Sequence, residues 1–382
     1  MSHFAVLVVT DSKPTDDVLT KALAPFHEFE CTGIVDQYVQ NIDKLQEARE
    51  KYAEDTEARY KDPSGNLHDP YADCFYREPT EEEVKAHGPF MGSGGGGGIS
   101  WHSKDWKDGR GYRGKIHFVP DGFEEVRSAV SSAKDFPTFI EEEYGYEPVR
   151  AGLPDLDGDH KYGWYRLNKA GDVTECVDRT NPNAKWDWWQ LGGRHSGSFT
   201  PKIGAAGTKK GEPGLMGCES NSAGVDVIRK GDVDFEAMRN AAKCEAIARW
   251  NKIRGIVGDL SDFVSWKEMR DVRFAGNIEA ARTAYRDQPA VKILAEASKK
   301  DRDLSWIELD GFMATLDEYG RRAANGATVF FAILRNGQWV ERGEMGWWAC
   351  VSNEKEDWDE QFNKMLDALP DDCWLSVVDC HI

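Results

Sequence analysis

The chain has 382 residues, 40% of them hydrophobic and 30% charged, with 14 Trp, 12 Tyr and 17 Phe, a composition that excludes disorder over most of the length. With 48 basic residues against 67 acidic ones the formal charge is −19, so the mean field repels phosphates and excludes a general nucleic-acid binder. Apolar runs such as Phe4 to Val9 and Val329 to Leu334 fall well short of the ~20 residues of a membrane span.

No basic leader or cleavage site precedes Phe4, so a cytoplasmic protein without a membrane partner is expected. Phe4 to Val9 reads as a strand buried on both faces. Residues 40–60 read as a charged, solvated helix, and Glu81 to Glu83 as a similar exposed face. Gly92 to Ser100 is the most unusual segment. Its glycines Gly95, Gly96 and Gly97 can turn backbone N–H groups toward one anion, while Lys104 and Arg110 supply charge and Trp106 a stacking face. The same composition also describes a flexible linker beside a charged loop. No G-x-x-x-x-G-K-[ST] or strand-borne G-x-G-x-x-G accompanies it. Asp155 to His160 fails as a calcium loop, because Arg166 stands where the twelfth-position Glu belongs.

Asn181 to His195 is Trp-rich. In extended geometry Trp186, Trp188 and Gln190 share one face and Asp187 and Trp189 the other, and Gly192-Gly193 then turns Arg194 and His195 sharply. A pocket wall with stacking indoles and an anion-binding Arg194 is one reading; a packed core strand is the other. Residues 204–225 are turn-rich. Phe235 to Ile253 carries a helical stripe with Asp234 as N-cap and Gly255 as stop, and further helices are expected near 261–271, after Asn277 and from Pro289. Thr328 to Leu334 and Gln338 to Val340 flank Asn336-Gly337 as a hairpin, with Met345 to Cys350 continuing the return strand. Trp358 to Leu369 is an amphipathic helix stopped by Pro370, and Trp374 to Val378 a second continuous apolar strand.

These elements predict an α+β fold in which a mixed or antiparallel sheet joins both ends of the chain around a mostly helical insertion. The expected parts are 1–203, with the Gly-rich loop and Trp-rich strand; 204–300, the loop and helices; and 301–382, a β-β-α-β segment packing back on the first strand. Charge follows a similar division, at −13 over 1–200, +4 over 201–300 and −10 over 301–382.

Eight cysteines without a Cys-x-x-Cys pair form neither a zinc framework nor a disulfide scaffold, and no metal site is expected. Candidates for catalysis are Asp105, Asp187, Cys31 and His381; Cys31 or Cys380 with a histidine would make a thiolate nucleophile, although most free cysteines are inert core residues.

The opening Met-Ser-His-Phe, "HEFECTG" at His27 to Gly33, "SKDW.DG.GY" at Ser103 to Tyr112, "NPNAKWDW.QLGGR" at Asn181 to Arg194 and "VVDCH" at Val377 to His381 resemble a family of uncharacterised tailed-bacteriophage proteins. The resemblance spans nearly the whole chain. His195 stands where that family has Trp, and Asn168 to Thr180 is an added segment. It implies a phage-encoded accessory protein in the cytoplasm of a bacterial host and carries no activity. Two functions follow. One is a protein that binds or processes a small phosphorylated or nucleotide-like ligand through Gly95 to Gly97, Lys104, Trp106, Arg110, Trp186, Trp188 and Arg194. The other is an acidic interaction protein that inhibits a host defence or nucleic-acid enzyme with its acidic carboxy-terminal part.

Overall fold

The structure, a computed structural model, describes residues 2–28, 37–77, 80, 99–100, 115–214, 223–346 and 350–382. They form two units, one of residues 1–38 and 181–382 and the other of residues 39–180. The chain therefore divides near 38 and 180 rather than at 203. The reason is strand pairing: segments on both sides of residue 203 hydrogen-bond to the strand near residue 380, which binds residues 181–230 to the carboxy-terminal part.

The first unit is built on a seven-stranded mixed sheet. Its strands are β1 (His3–Thr10), β2 (Trp188–Gly193), β3 (Glu212–Pro213), β4 (Val227–Arg229), β5 (Ala332–Arg335), β6 (Gln338–Glu341) and β7 (Trp374–His381). The order is β3-β2-β7-β1-β5-β6, with β4 also on β7. The two continuous apolar runs are the central pair: β1 and β7 run antiparallel in register from His3 opposite His381 to Thr10 opposite Trp374. Both ends of the chain thus share one sheet, and the fold is α+β.

Alternation along β1 explains why it is apolar without a break. Phe4, Val6 and Val8 enter one core, with Val378 and Cys380 of β7; Ala5, Leu7 and Val9 enter the other, with Leu375 and Val377. Helix α1 (Asp16–Leu23), capped by the Thr15 hydroxyl, covers the first core through Leu19 and Leu23. The second core is covered by an amphipathic helix at Trp358–Asp367, which buries Trp358, Phe362 and Leu366 at four-residue spacing. Asn336, at φ 51, and Gly337, at φ 73, make the β5–β6 turn as expected. The return strand stops at Glu341, and Met345 instead pairs with Val351 in a separate two-stranded ladder.

Helix Phe235–Val257 starts where expected, the Asp234 carboxylate accepting from the Ala237 N–H at 2.9 Å. It runs past Gly255 to a cap at Gly258. Ile253 and Val257, four residues apart, both reach a core shared with Leu294, Leu304 and Phe312. That burial outweighs the ~1 kcal/mol cost of an interior glycine. Asn277 caps the helix Ile278–Asp287, and Pro289 opens Pro289–Ser298.

The second unit holds a four-stranded sheet ordered Gln40–Asp43, Val173–Thr180, Gly163–Leu167 and Glu147–Val149. Helices Leu45–Glu54 and Phe136–Tyr144 pack on it around Ala48, Ile140, Tyr165 and Cys176. The expected single helix over 40–60 is strand, helix and strand. Asp43 caps the Leu45 N–H at 2.9 Å, and Thr56–Lys61 pairs with Glu124–Ala129, so helix is confined to the middle.

Candidate functional site

Polar residues occupy the end of the central strands. On β7 the residues facing the second core are Leu375 and Val377, and by the two-residue period Asp379 and His381 continue that face. His3 follows the same parity on β1, directly opposite His381, and Trp188 of β2 lies opposite His381 on its other side. Three neighbouring strands thereby bring two imidazoles, an indole and a carboxylate together on one sheet face.

Each of the two histidines is held by an aspartate. Nδ1 of His3 lies 3.0 Å from Oδ1 of Asp379, and Nδ1 of His381 lies 2.6 Å from Oδ1 of Asp187. An ionised carboxylate only accepts, so both Nδ1 atoms donate and the neutral rings carry their lone pair on Nε2. The rings meet edge to face with centroids 4.9 Å apart, and Trp188 stacks on His381 at an interplanar angle of 18°. His381 is 7% exposed, and its Nε2 is sealed with no hydrogen-bond partner among the described residues. A buried polar atom left without a partner costs ~1–3 kcal/mol.

Asp379 is fully buried. It also accepts the Arg194 backbone N–H at 2.8 Å, and Nε2 of His195 stands 3.9 Å from its Oδ1. About a third of the His195 side chain is exposed, yet its Nε2 is sealed. Burial lowers the His195 pKa from its ordinary value, and Asp379 opposes the shift.

The two glycines before Arg194 make this approach possible. Gly192 and Gly193 have φ of +75° and +54°, left-handed values that side chains resist. A Cβ on Gly193 would stand 2.5 Å from Oδ2 of Asp379, and one on Gly192 2.8 Å from Oδ2 of Asp226. Asp226, also fully buried, accepts from the N–H groups of Gly197, Ser198 and Gly211 and from the Ser196 hydroxyl. Burial raises its pKa and those donors offset part of the rise. Asp226 fastens the turn that carries Arg194 and His195.

The sequence-derived candidates divide. Asp187, Trp188, Arg194 and His381 converge here, with Arg194 exposed at the turn. Trp186 does not. It precedes the strand, is 5% exposed, packs in the first core and donates its Nε1–H to the Leu23 carbonyl at 3.2 Å, so it offers no stacking face. Cys380, on the opposite face from His381 and fully buried, has a thiol pKa pushed well up by desolvation, which overturns a thiolate there. Cys31, Gly95, Gly96, Gly97, Lys104, Asp105, Trp106 and Arg110 lie outside the described residues. The candidate set drawn from the sequence leaves out His3, Asp226 and Asp379. The available signal, for Asp379, was an aspartate directly after a run read as a buried strand, where a carboxylate requires partners.

A cavity of about 440 Å³ lined by Ile333, Arg335, Val340, Met365 and Leu369 lies at the other end of the sheet, where β5 pairs with Val9 rather than His3. It holds no histidine or carboxylate. No helix among the described residues is long and apolar enough to cross a membrane. Comparison with protein-family models, with curated proteins and with solved structures found no match.

Proposed function

We propose that the protein binds a small phosphorylated or nucleotide-like ligand at the sheet end built by His3, Asp187, Trp188, Arg194, Asp379 and His381, as a phage-encoded accessory protein of the bacterial cytoplasm. The observation that carries this reading is His381: nine-tenths buried, fixed through Nδ1 by Asp187, flat against an indole, and with Nε2 unpartnered. Such an atom calls for a donor from a ligand. Trp188 offers a half-buried indole near by, and the exposed Arg194 is suited to paired contacts with phosphate oxygens. Its anchored backbone places that side chain one residue from the Gly-Gly turn.

The test is thermal stabilisation of the purified protein by a panel of nucleotides and phosphorylated metabolites. Arg194→Ala weakens the bound ligand by about 1–3 kcal/mol, and Trp188→Phe abolishes the ligand-dependent fluorescence change while Trp186→Phe retains it. A protein stabilised by no member of the panel, whose association with a basic host protein slows on charge reversal at Glu354, Glu356, Asp357, Asp359 and Glu360, is instead the acidic inhibitor.

A further inference from the structure

We infer that the cavity beside the β5–β6 hairpin binds a small aliphatic monocarboxylate, its carboxylate on Arg335 and its hydrocarbon tail against Ile333, Val340, Met365 and Leu369. This site lies at the opposite end of the sheet from the one proposed above and does not depend on it.

Two elements build the cavity. Ile333 of β5 faces the second core, and by the two-residue period Arg335 continues that face. Val340 and Gln338 of β6 stand opposite them, so one face of the hairpin carries two apolar side chains followed by a guanidinium and an amide. The helix Trp358–Asp367 packs on the same core and contributes Met365, and the residues just after it contribute Ala368 and Leu369. The volume, about 440 Å³, falls within the range of sites that take small organic molecules.

Arg335 is the reason for an anion. Its side chain makes no hydrogen bond and no ion pair among the described residues, and its Nε is sealed by packing. The residue is half-buried, so the packed stem leaves the terminal amino groups as the accessible, unpaired part of the guanidinium. The acceptors at the neighbouring helix end are already served. Nζ of Lys230 donates to the Leu369 carbonyl at 2.6 Å and to the Asp367 carbonyl at 3.3 Å, and pairs with Asp371 at 3.1 Å. In a chain with 67 acidic residues, a partly enclosed guanidinium that pairs with none of the described ones is set for a charge from outside.

Charge and shape choose the anion. Among the described residues no second basic side chain lines the cavity, so the site balances a monoanion and leaves a phosphomonoester dianion half uncompensated. The planar guanidinium fork matches the two oxygens of a carboxylate, and the Gln338 amide opposite it supplies a further N–H. Past Arg335, Asn336 and Gln338 the lining side chains are aliphatic or thioether, a surface that favours a saturated tail and offers no side-chain partner to the hydroxyls of a sugar.

The experiment is calorimetric titration of the full chain with butanoate, hexanoate and octanoate, with octan-1-ol and octyl phosphate as uncharged and dianionic counterparts. Affinity is expected to rise up to about fourfold per added methylene. Octanol is expected to bind roughly tenfold or more weaker than octanoate, and octyl phosphate no more tightly than octanoate. Arg335→Gln is expected to weaken octanoate by roughly tenfold or more and leave octanol unchanged. Ala368→Trp, which sets an indole at the mouth from an exposed position and keeps Arg335, is expected to weaken both. Wild type that does not bind octanoate overturns the inference, as does octanol that matches octanoate, octyl phosphate that exceeds it, or octanoate affinity undiminished in either variant. Should Arg335→Gln fail to fold, the wild-type series and Ala368→Trp decide.

Discussion

Replacing Gly193 by alanine puts a methyl group where the buried carboxylate of the site already sits. The backbone there is left-handed, at φ +54°, and the added Cβ would lie 2.4 Å from the Cβ of Asp379 and 2.5 Å from its Oδ2. Left-handed backbone alone costs an alanine roughly 1–2 kcal/mol. Relieving the clash moves Asp379 away from the Arg194 N–H and His3, and a hydrogen bond to a charged group contributes about 1.5–3 kcal/mol. The expected loss is therefore about 2.5–5 kcal/mol, read from urea unfolding midpoints with the slope unchanged. Gly337→Ala is the internal control, because its φ is +73° and nothing stands within 4 Å of the added Cβ; it pays only the conformational part. Equal destabilisation of the two variants would refute the claim that close approach to Asp379 sets the requirement for glycine.

The pH dependence has a sign that follows from His195. Its native pKa lies below the ordinary 6.5, so as pH falls through that window the unfolded chain binds a proton that the native chain refuses, and stability drops. His195→Gln is expected to flatten the fall in urea midpoint between pH 7 and about pH 5; an unchanged slope would assign the proton uptake elsewhere. Thiol reactivity separates surface from core. Native protein treated with iodoacetamide is expected to carry label at the exposed Cys74, Cys244 and Cys350 and none at the buried Cys176, Cys373 and Cys380, so peptide mass mapping that finds Cys380 among the modified residues would restore the thiolate reading.

The sheet was legible because its signals are local or periodic. Phe4 to Val9 and Trp374 to Val378 each read as buried on both faces, and they pair; Asn336-Gly337 turned a hairpin on dihedral preference alone. The site was legible only in part. Asp187, Trp188, Arg194 and His381 stood in unusual motifs, but their convergence depends on the register between strands more than 180 residues apart, which no local pattern encodes. Trp186 was assigned to the face of Trp188 by extrapolating strand parity two residues beyond the strand's actual start. There the Trp186 backbone pairs with His27 and the indole turns to the first core. Gly255 misled for the opposite reason: a local stop signal was overridden by the burial of Val257.

The strand that completes the first unit's sheet is the last of that sheet in chain order. Strand β7 lies between β1 on one side and β2 and β4 on the other, yet a ribosome delivers it after every other strand of that sheet. Until then β1 presents an unpaired apolar edge to the cell, the kind of surface that makes nascent chains aggregate. The pairings that finally cover it span up to 378 residues of sequence, from His3 to His381, so the search is long and slow. Translation that halts before residue 374 yields a polypeptide without the middle of its sheet and without Asp379 and His381, so the site assembles only once β7 has been made.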